Sequence, residues 1–207
     1  LSYLLTPGGL SSAPVQSNVG VPVTYGDAYA GYLCASVDGT MLAAAYPDVI
    51  NLVQVYDFDA ATGSVTNAIT LNGFATQGLS SGIYGVEFSP SGQFLYTSEA
   101  NPNTSNVYQF DLLAGAPLAV NSSRVLLHTF QTYGGALQLG PDMKIYCTSL
   151  SASALDVIQD PDLAGTACGY VVGGQPLGGP TASLGLPTFI DSYFTTLIQT
   201  EGICTGG

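Results

Sequence analysis

The chain repeats itself at intervals of about fifty residues, and this repeat limits the possible folds more than any other feature. Three segments share one hairpin pattern: Leu33 to Ala43, Val86 to Tyr96, and Leu137 to Tyr146, the last one residue shorter after its turn. Val37, Pro90 and Pro141 hold the same place in each, 53 and 51 residues apart. Each hairpin is an apolar strand, a tight turn carrying Gly or Asp, and a second strand. A further strand pair follows each one: Val53 to Asp59 matches Val107 to Asp111, and Leu155 to Ile158 is a weaker third copy. A unit of four strands that cannot bury its faces alone must stack on its neighbours. The pattern therefore predicts an all-β, β-propeller-like fold. It has about three full four-stranded blades between Gly31 and Leu177, plus terminal strands at Tyr3–Leu5, Ala13–Val21 and Leu184–Phe194. The rival is a β-sandwich with coincidental hairpins. Helical periodicity is almost missing. Residues 1–207 read as a single propeller-like domain, standing alone or forming part of a larger ring.

Composition narrows the function. Fourteen acidic and two basic residues give a net charge of −12 among 207 residues. Arg124 and Lys144 are the only fixed positive charges. Nucleic-acid binding is excluded, because a phosphate backbone needs a basic surface. An acidic disordered chain is excluded too, since 46% of the residues are apolar. The most apolar stretch, Met41 to Tyr56, is interrupted by Pro47, Asp48 and Asn51, so no membrane span is expected. Leu1 is not an initiator methionine, which fits a processed product or a fragment. Charged residues are only 8% of the chain, against roughly 25% in ordinary domains. That composition points to an extracellular or cell-surface location.

Three blocks carry a resemblance. They are Tyr84-Gly85-Val86-Glu87-Phe88-Ser89-Pro90-Ser91-Gly92 with Phe94-Leu95-Tyr96, Gly135 to Asp142 with Lys144-Ile145-Tyr146, and Ser183 to Ile190 with Ser192-Tyr193-Phe194. Together they resemble the WD40-like β-propeller region, C-terminal half, of large secreted Bacteroidota surface proteins associated with gliding motility and type IX secretion. The resemblance implies a surface or secreted role and brings no catalytic residues with it.

Candidate chemistry is sparse. Asp57 and Asp59 lie two apart on one strand and so share a face. With nearby carbonyls they form a candidate Ca²⁺ site; the plainer reading makes Asp59 a cap on the turn Ala60 to Gly63. Asp156, Asp160 and Asp162 lack the spacing of a calcium loop. His128 stands alone, without a nucleophile motif beside it. Glu87 and Glu99 are the one conceivable glycosidase pair, yet Glu87 shares its repeat position with Cys34 and Gln138, which argues for a structural slot. Asn103 and Asn121 fit the N-glycosylation pattern. An even cysteine count in a secreted chain favours disulfides, with Cys147–Cys168 preferred and Cys34–Cys204 second. Taken together, the expected function is a non-enzymatic structural or adhesion module. Open terminal blade faces and few surface charges would drive assembly into a homo-oligomer or filament. The alternative is a carbohydrate-binding or carbohydrate-cleaving propeller, with surface polysaccharide as its partner.

Overall fold

The computed structural model describes residues 1–23, 29–76 and 81–191. Its described part is all-β, with one short helix. A small hairpin, β1 (Leu5–Thr6) and β2 (Gly9–Leu10), comes first, turning through Pro7-Gly8. Blade 1 follows as β3 (Leu33–Ala35), β4 (Met41–Tyr46), β5 (Leu52–Asp59) and β6 (Ser64–Leu71). Blade 2 is β7 (Ile83–Phe88), β8 (Phe94–Glu99), β9 (Ser105–Asp111) and β10 (Val125–Phe130). Blade 3 is β11 (Gly134–Leu139), β12 (Ile145–Ser149), β13 (Ala154–Ile158) and β14 (Tyr170–Pro176). Each blade is an antiparallel meander in strict sequence order.

The repeat's turn chemistry explains why the hairpins recur. Ser36 and Ser89 point their hydroxyls across the turn to accept the amides of Met41 and Phe94, at 3.0 and 3.2 Å. Gly39 and Gly92 supply a left-handed backbone (φ 71° and 74°). The shorter third turn puts Met143 in that conformation instead, at φ 61°.

Packing between blades explains the strand composition. Ala43, Ala45, Val53 and Val55 of blade 1 meet Ile83, Val86, Phe88, Leu95 and Phe110 of blade 2 in one core. Phe94, Tyr96, Val107 and Phe130 meet Leu137, Leu139, Ile145 and Ile158 in the next. β8 is buried along its whole length and contributes to both cores. That is why Phe94-Leu95-Tyr96 reads as a continuous apolar run and not an alternation. Burying a large aliphatic or aromatic side chain is worth about 1.5–3 kcal/mol, so these two seams dominate the stability.

Hydrogen bonds link the blades around an axis. The Tyr32 amide donates to Tyr84 O at 2.9 Å, and the Ser98 hydroxyl donates to Gly135 O. The Ala136 amide then donates to Leu184 O at 2.7 Å, and the Leu186 amide donates to the Tyr32 hydroxyl at 3.0 Å. Residues 184–191 thus fill a fourth position beside the three blades. They do so as an extended segment, whereas the sequence predicts a strand there; residues 192–194 of that expected strand lie outside the described residues. Close approach at this join requires glycine, since a Cβ on Gly135 would sit 2.5 Å from Leu184 O.

Two expectations need correction. Helix α1 (Pro117–Ser122) was not anticipated; a single-turn helix is too short to show a 3.6-residue period. The expected Cys147–Cys168 disulfide is not formed, and both are buried free thiols. Cys147 lies on β12 across from Leu137 and Asp156, while Cys168 ends a short turn of 3₁₀ helix (Gly165–Cys168) between β13 and β14. Membership of one repeat unit placed them in one core but not in register. Cys34 is likewise a free thiol, and Cys204 lies outside the described residues. No helix among the described residues is long and apolar enough to cross a membrane.

Candidate functional site

The first strands of all three blades surround a cavity of about 330 Å³. Blade 1 contributes Tyr32 to Gly39, blade 2 Val86 and Glu87, blade 3 Leu137 and Gln138, and the fourth wall is Thr188 to Asp191. Cys34, Glu87 and Gln138, the equivalent repeat positions, therefore converge on one space. The sequence treated that equivalence as a reason to discount Glu87. In a propeller, equivalent positions on the innermost strands encircle the axis, so a structural slot and a cavity wall are the same place.

Three carboxyl groups, Glu87, Asp191 and Asp38, line the cavity, and none of Arg124, Lys144 and His128 does. Glu87 is 2% exposed; one carboxyl oxygen accepts the Phe88 amide at 2.9 Å and the other the Leu139 amide at 3.0 Å. Asp191 is also buried, and its Oδ1 accepts Gln138 Nε2 at 3.2 Å. Burial, then the charge of Asp191, pushes Glu87 well above the usual carboxylate range, although its two amide donors pull the other way. Burial pushes Asp191 up to about 6 against the opposing bond from Gln138. Two neighbouring carboxyl groups compete for one charge. Glu87 is the deeper of the two, and both are shifted toward the protonated form. Burial, then the same two carboxylates, also pushes up the Cys34 thiol, which leaves it a poor nucleophile.

These shifts fix the sign of the pH dependence. A carboxyl group whose folded pKa is raised contributes most below its ordinary value near 4, and that contribution is lost as pH climbs through its folded pKa. Glu87, Asp191 and Glu99 are all raised. Asp38 and Asp59 are lowered, so their contribution is lost only on acidification below about 4. The melting temperature is expected to be higher at pH 5 than at pH 8. Scanning calorimetry across that window reads it directly, and a flat or rising profile contradicts the assignment.

The remaining candidates lie elsewhere. Asp59 Oδ1 accepts the Ala61 amide at 2.9 Å and its Oδ2 the Thr62 hydroxyl at 2.7 Å; the Thr62 hydroxyl, then the Ala61 amide, hold it below the usual range. Asp57 Oδ2 accepts Asn67 Nδ2 at 2.6 Å. Both act as turn and cross-strand fasteners, and no group of three His, Cys, Asp or Glu side chains fit to hold a metal occurs among the described residues. Glu99 does not face the axial cavity. Its carboxylate accepts the amides of Ala75 and Asn106 instead, so the glycosidase pair is not assembled. His128 stacks on Tyr170 at 4.9 Å, with Nε2 4.0 Å from Asp156 Oδ2. Asp156 also accepts the Tyr170 hydroxyl at 2.8 Å and the Gly173 amide at 2.7 Å. Asp162 accepts the Ser91 hydroxyl at 2.6 Å. Asn103 is exposed between β8 and β9. Asn121 lies on α1, and its Oδ1 accepts the Asn72 amide at 2.9 Å. Sequence reasoning gave Asp191 no role, although it sits between Ile190 and Ser192 in the third resemblance block.

The sequence matches no protein-family model and no curated protein. Its fold does match solved structures. The periplasmic gluconolactonase of Pseudomonas aeruginosa is 16% identical and aligns over 87% of this chain and 52% of its own, with a TM-score of 0.51. A protein from Lactobacillus plantarum is 15% identical over 75% of this chain and 43% of its own, with a TM-score of 0.47. A putative 6-phosphogluconolactonase from Bacteroides uniformis is 14% identical over 79% and 44%, also with a TM-score of 0.47. The chain thus spans about half the length of these structures. At these identities the likeness establishes the propeller-like fold and nothing more specific. It does overturn the expectation of a non-enzymatic module, because a gluconolactonase is built on this fold and the architecture gives no ground for excluding catalysis.

Proposed function

We propose that the axial cavity is the active site of a lactonase-type propeller, which hydrolyses a sugar lactone to its hydroxy acid. The observation that carries this reading is the pair of unequal carboxyl groups, Glu87 and Asp191, on the wall of one cavity. Hydrolysis of a lactone needs a base for water and an acid for the leaving oxygen, and two neighbouring carboxyl groups, one ionised and one protonated, supply both. Asp191 takes a proton from water as the water oxygen bonds to the lactone carbonyl carbon. The ring carbon–oxygen bond then breaks, and the departing oxygen takes the Glu87 proton. Gln138 positions Asp191 through its amide bond. The fold shared with a periplasmic gluconolactonase supports the reading. Acid release from gluconolactone, followed by pH-stat above the spontaneous rate, tests it; no acceleration overturns it.

The resemblance to secreted Bacteroidota surface proteins and the scarcity of charge support a location outside the cytoplasm. Leu4, Leu5 and Leu10 of the N-terminal hairpin are exposed and support self-association of the kind expected from the sequence. Light scattering over a concentration series should show growth in mass at physiological salt; a constant 21.2 kDa monomer excludes it.

A further inference from the structure

We propose that the axial cavity takes an uncharged sugar lactone and rejects phosphorylated or carboxylated ones. This inference rests on the lactonase reading and specifies its substrate class. Recognition of a phosphate requires a cation or a cluster of amide donors held for it. The whole chain offers two fixed side-chain cations, and both are committed elsewhere. Arg124 donates to Gly73 O at 2.8 Å and lies over the Tyr108 ring, 5.0 Å from its centre. Lys144 Nζ stands 3.8 Å from Asp142 Oδ2. His128 is packed between Tyr170 and Phe130 beside Asp156. None of the three lines the cavity.

What does line it is negative or neutral. Asp38 borders the cavity beside Gly39. Burial works against its ionisation, but bonds from the Ser36 hydroxyl and from Thr40 outweigh burial and hold it below its usual range. With Asp191 ionised at neutral pH, an anionic group entering the cavity meets two carboxylates of its own sign. Like charges brought together cost several-fold to many-fold in affinity. A polyol has the opposite match, since its hydroxyl hydrogens donate to Asp38 and Asp191. Its oxygens accept from the hydroxyl of Thr188 on the wall.

The test compares gluconolactone with 6-phosphogluconolactone as substrates of the full chain. The expected result is a preference for the neutral lactone of at least about 100-fold in kcat/KM. Because the discrimination is electrostatic, it should narrow as ionic strength rises. Equal or faster hydrolysis of the phosphorylated lactone overturns the charge inference and leaves the lactonase reading standing. Hydrolysis of neither substrate above the rate of the Asp191→Asn variant overturns both.

Discussion

The Asp191→Asn variant is expected to lose lactone hydrolysis by about 10²–10⁴-fold in kcat, the usual contribution of a positioned base. Asparagine keeps the shape and can still meet the Gln138 amide through its carbonyl oxygen, but it cannot accept the proton of water. In the parent chain the rate should fall on acidification through about 6, where Asp191 becomes protonated. The variant should lack that limb. Its melting temperature should not drop, because the substitution removes a buried charge that has no cationic partner. Measuring pH–rate profiles and melting temperatures of both proteins separates chemistry from folding. Full activity in the folded variant would end the case for Asp191 as the base.

The second large effect is on stability and centres on Glu99, which is 0% exposed. One of its oxygens accepts the Ala75 amide at 2.8 Å and the Tyr108 hydroxyl at 3.4 Å. The other accepts the Asn106 amide at 3.2 Å, Asn106 Nδ2 at 2.9 Å and Asn101 Nδ2 at 3.4 Å. Nearby, Asn51 Nδ2 donates to Phe74 O at 2.7 Å while its Oδ1 accepts the Ile83 amide at 2.9 Å. The Asn101 side chain accepts the Gly82 amide at 2.9 Å. These three side chains clamp the chain on either side of the crossing from blade 1 to blade 2. A Glu99→Leu change leaves several partly buried donors without this acceptor, each costing up to about 1–3 kcal/mol. We expect a total loss of about 3–5 kcal/mol, read from urea denaturation midpoints at constant m-value. Glu99→Gln retains one acceptor oxygen and should lose less. A loss below about 1 kcal/mol in the leucine variant would show that water or repacking satisfies the donors.

The blades were legible because their turns are chemically conspicuous. Ser36 and Ser89, with Gly39 and Gly92, mark the hairpins. The site was legible only in part. The equivalence of Cys34, Glu87 and Gln138 was visible, but its meaning depends on which strand of a blade is innermost, and hydropathy does not encode that. A carboxylate inside the apolar run Val86-Glu87-Phe88 was the available signal, since such a group is almost never buried without a purpose. Asp191 lay within the third resemblance block, but a segment that forms no strand has no periodicity to show which of its side chains face the cavity. The cysteine pairing failed for a related reason. Nearness in the repeat says nothing about register, and register decides whether two sulfurs meet.

The placement of Cys34, Glu87 and Gln138 has an evolutionary consequence. Each blade lends the axis one side chain from the same rung, while its frame is held by the packing of its neighbours. The chemistry at the centre can therefore be changed one blade at a time, most readily at the Cys34 rung, since Glu87 also ties blade 2 to the Leu139 amide of blade 3. Grafting Glu87 onto the rung of Cys34 or Gln138 would move the acid around the axis in steps set by the blade angle, which makes this wall a natural ground for selecting new specificities.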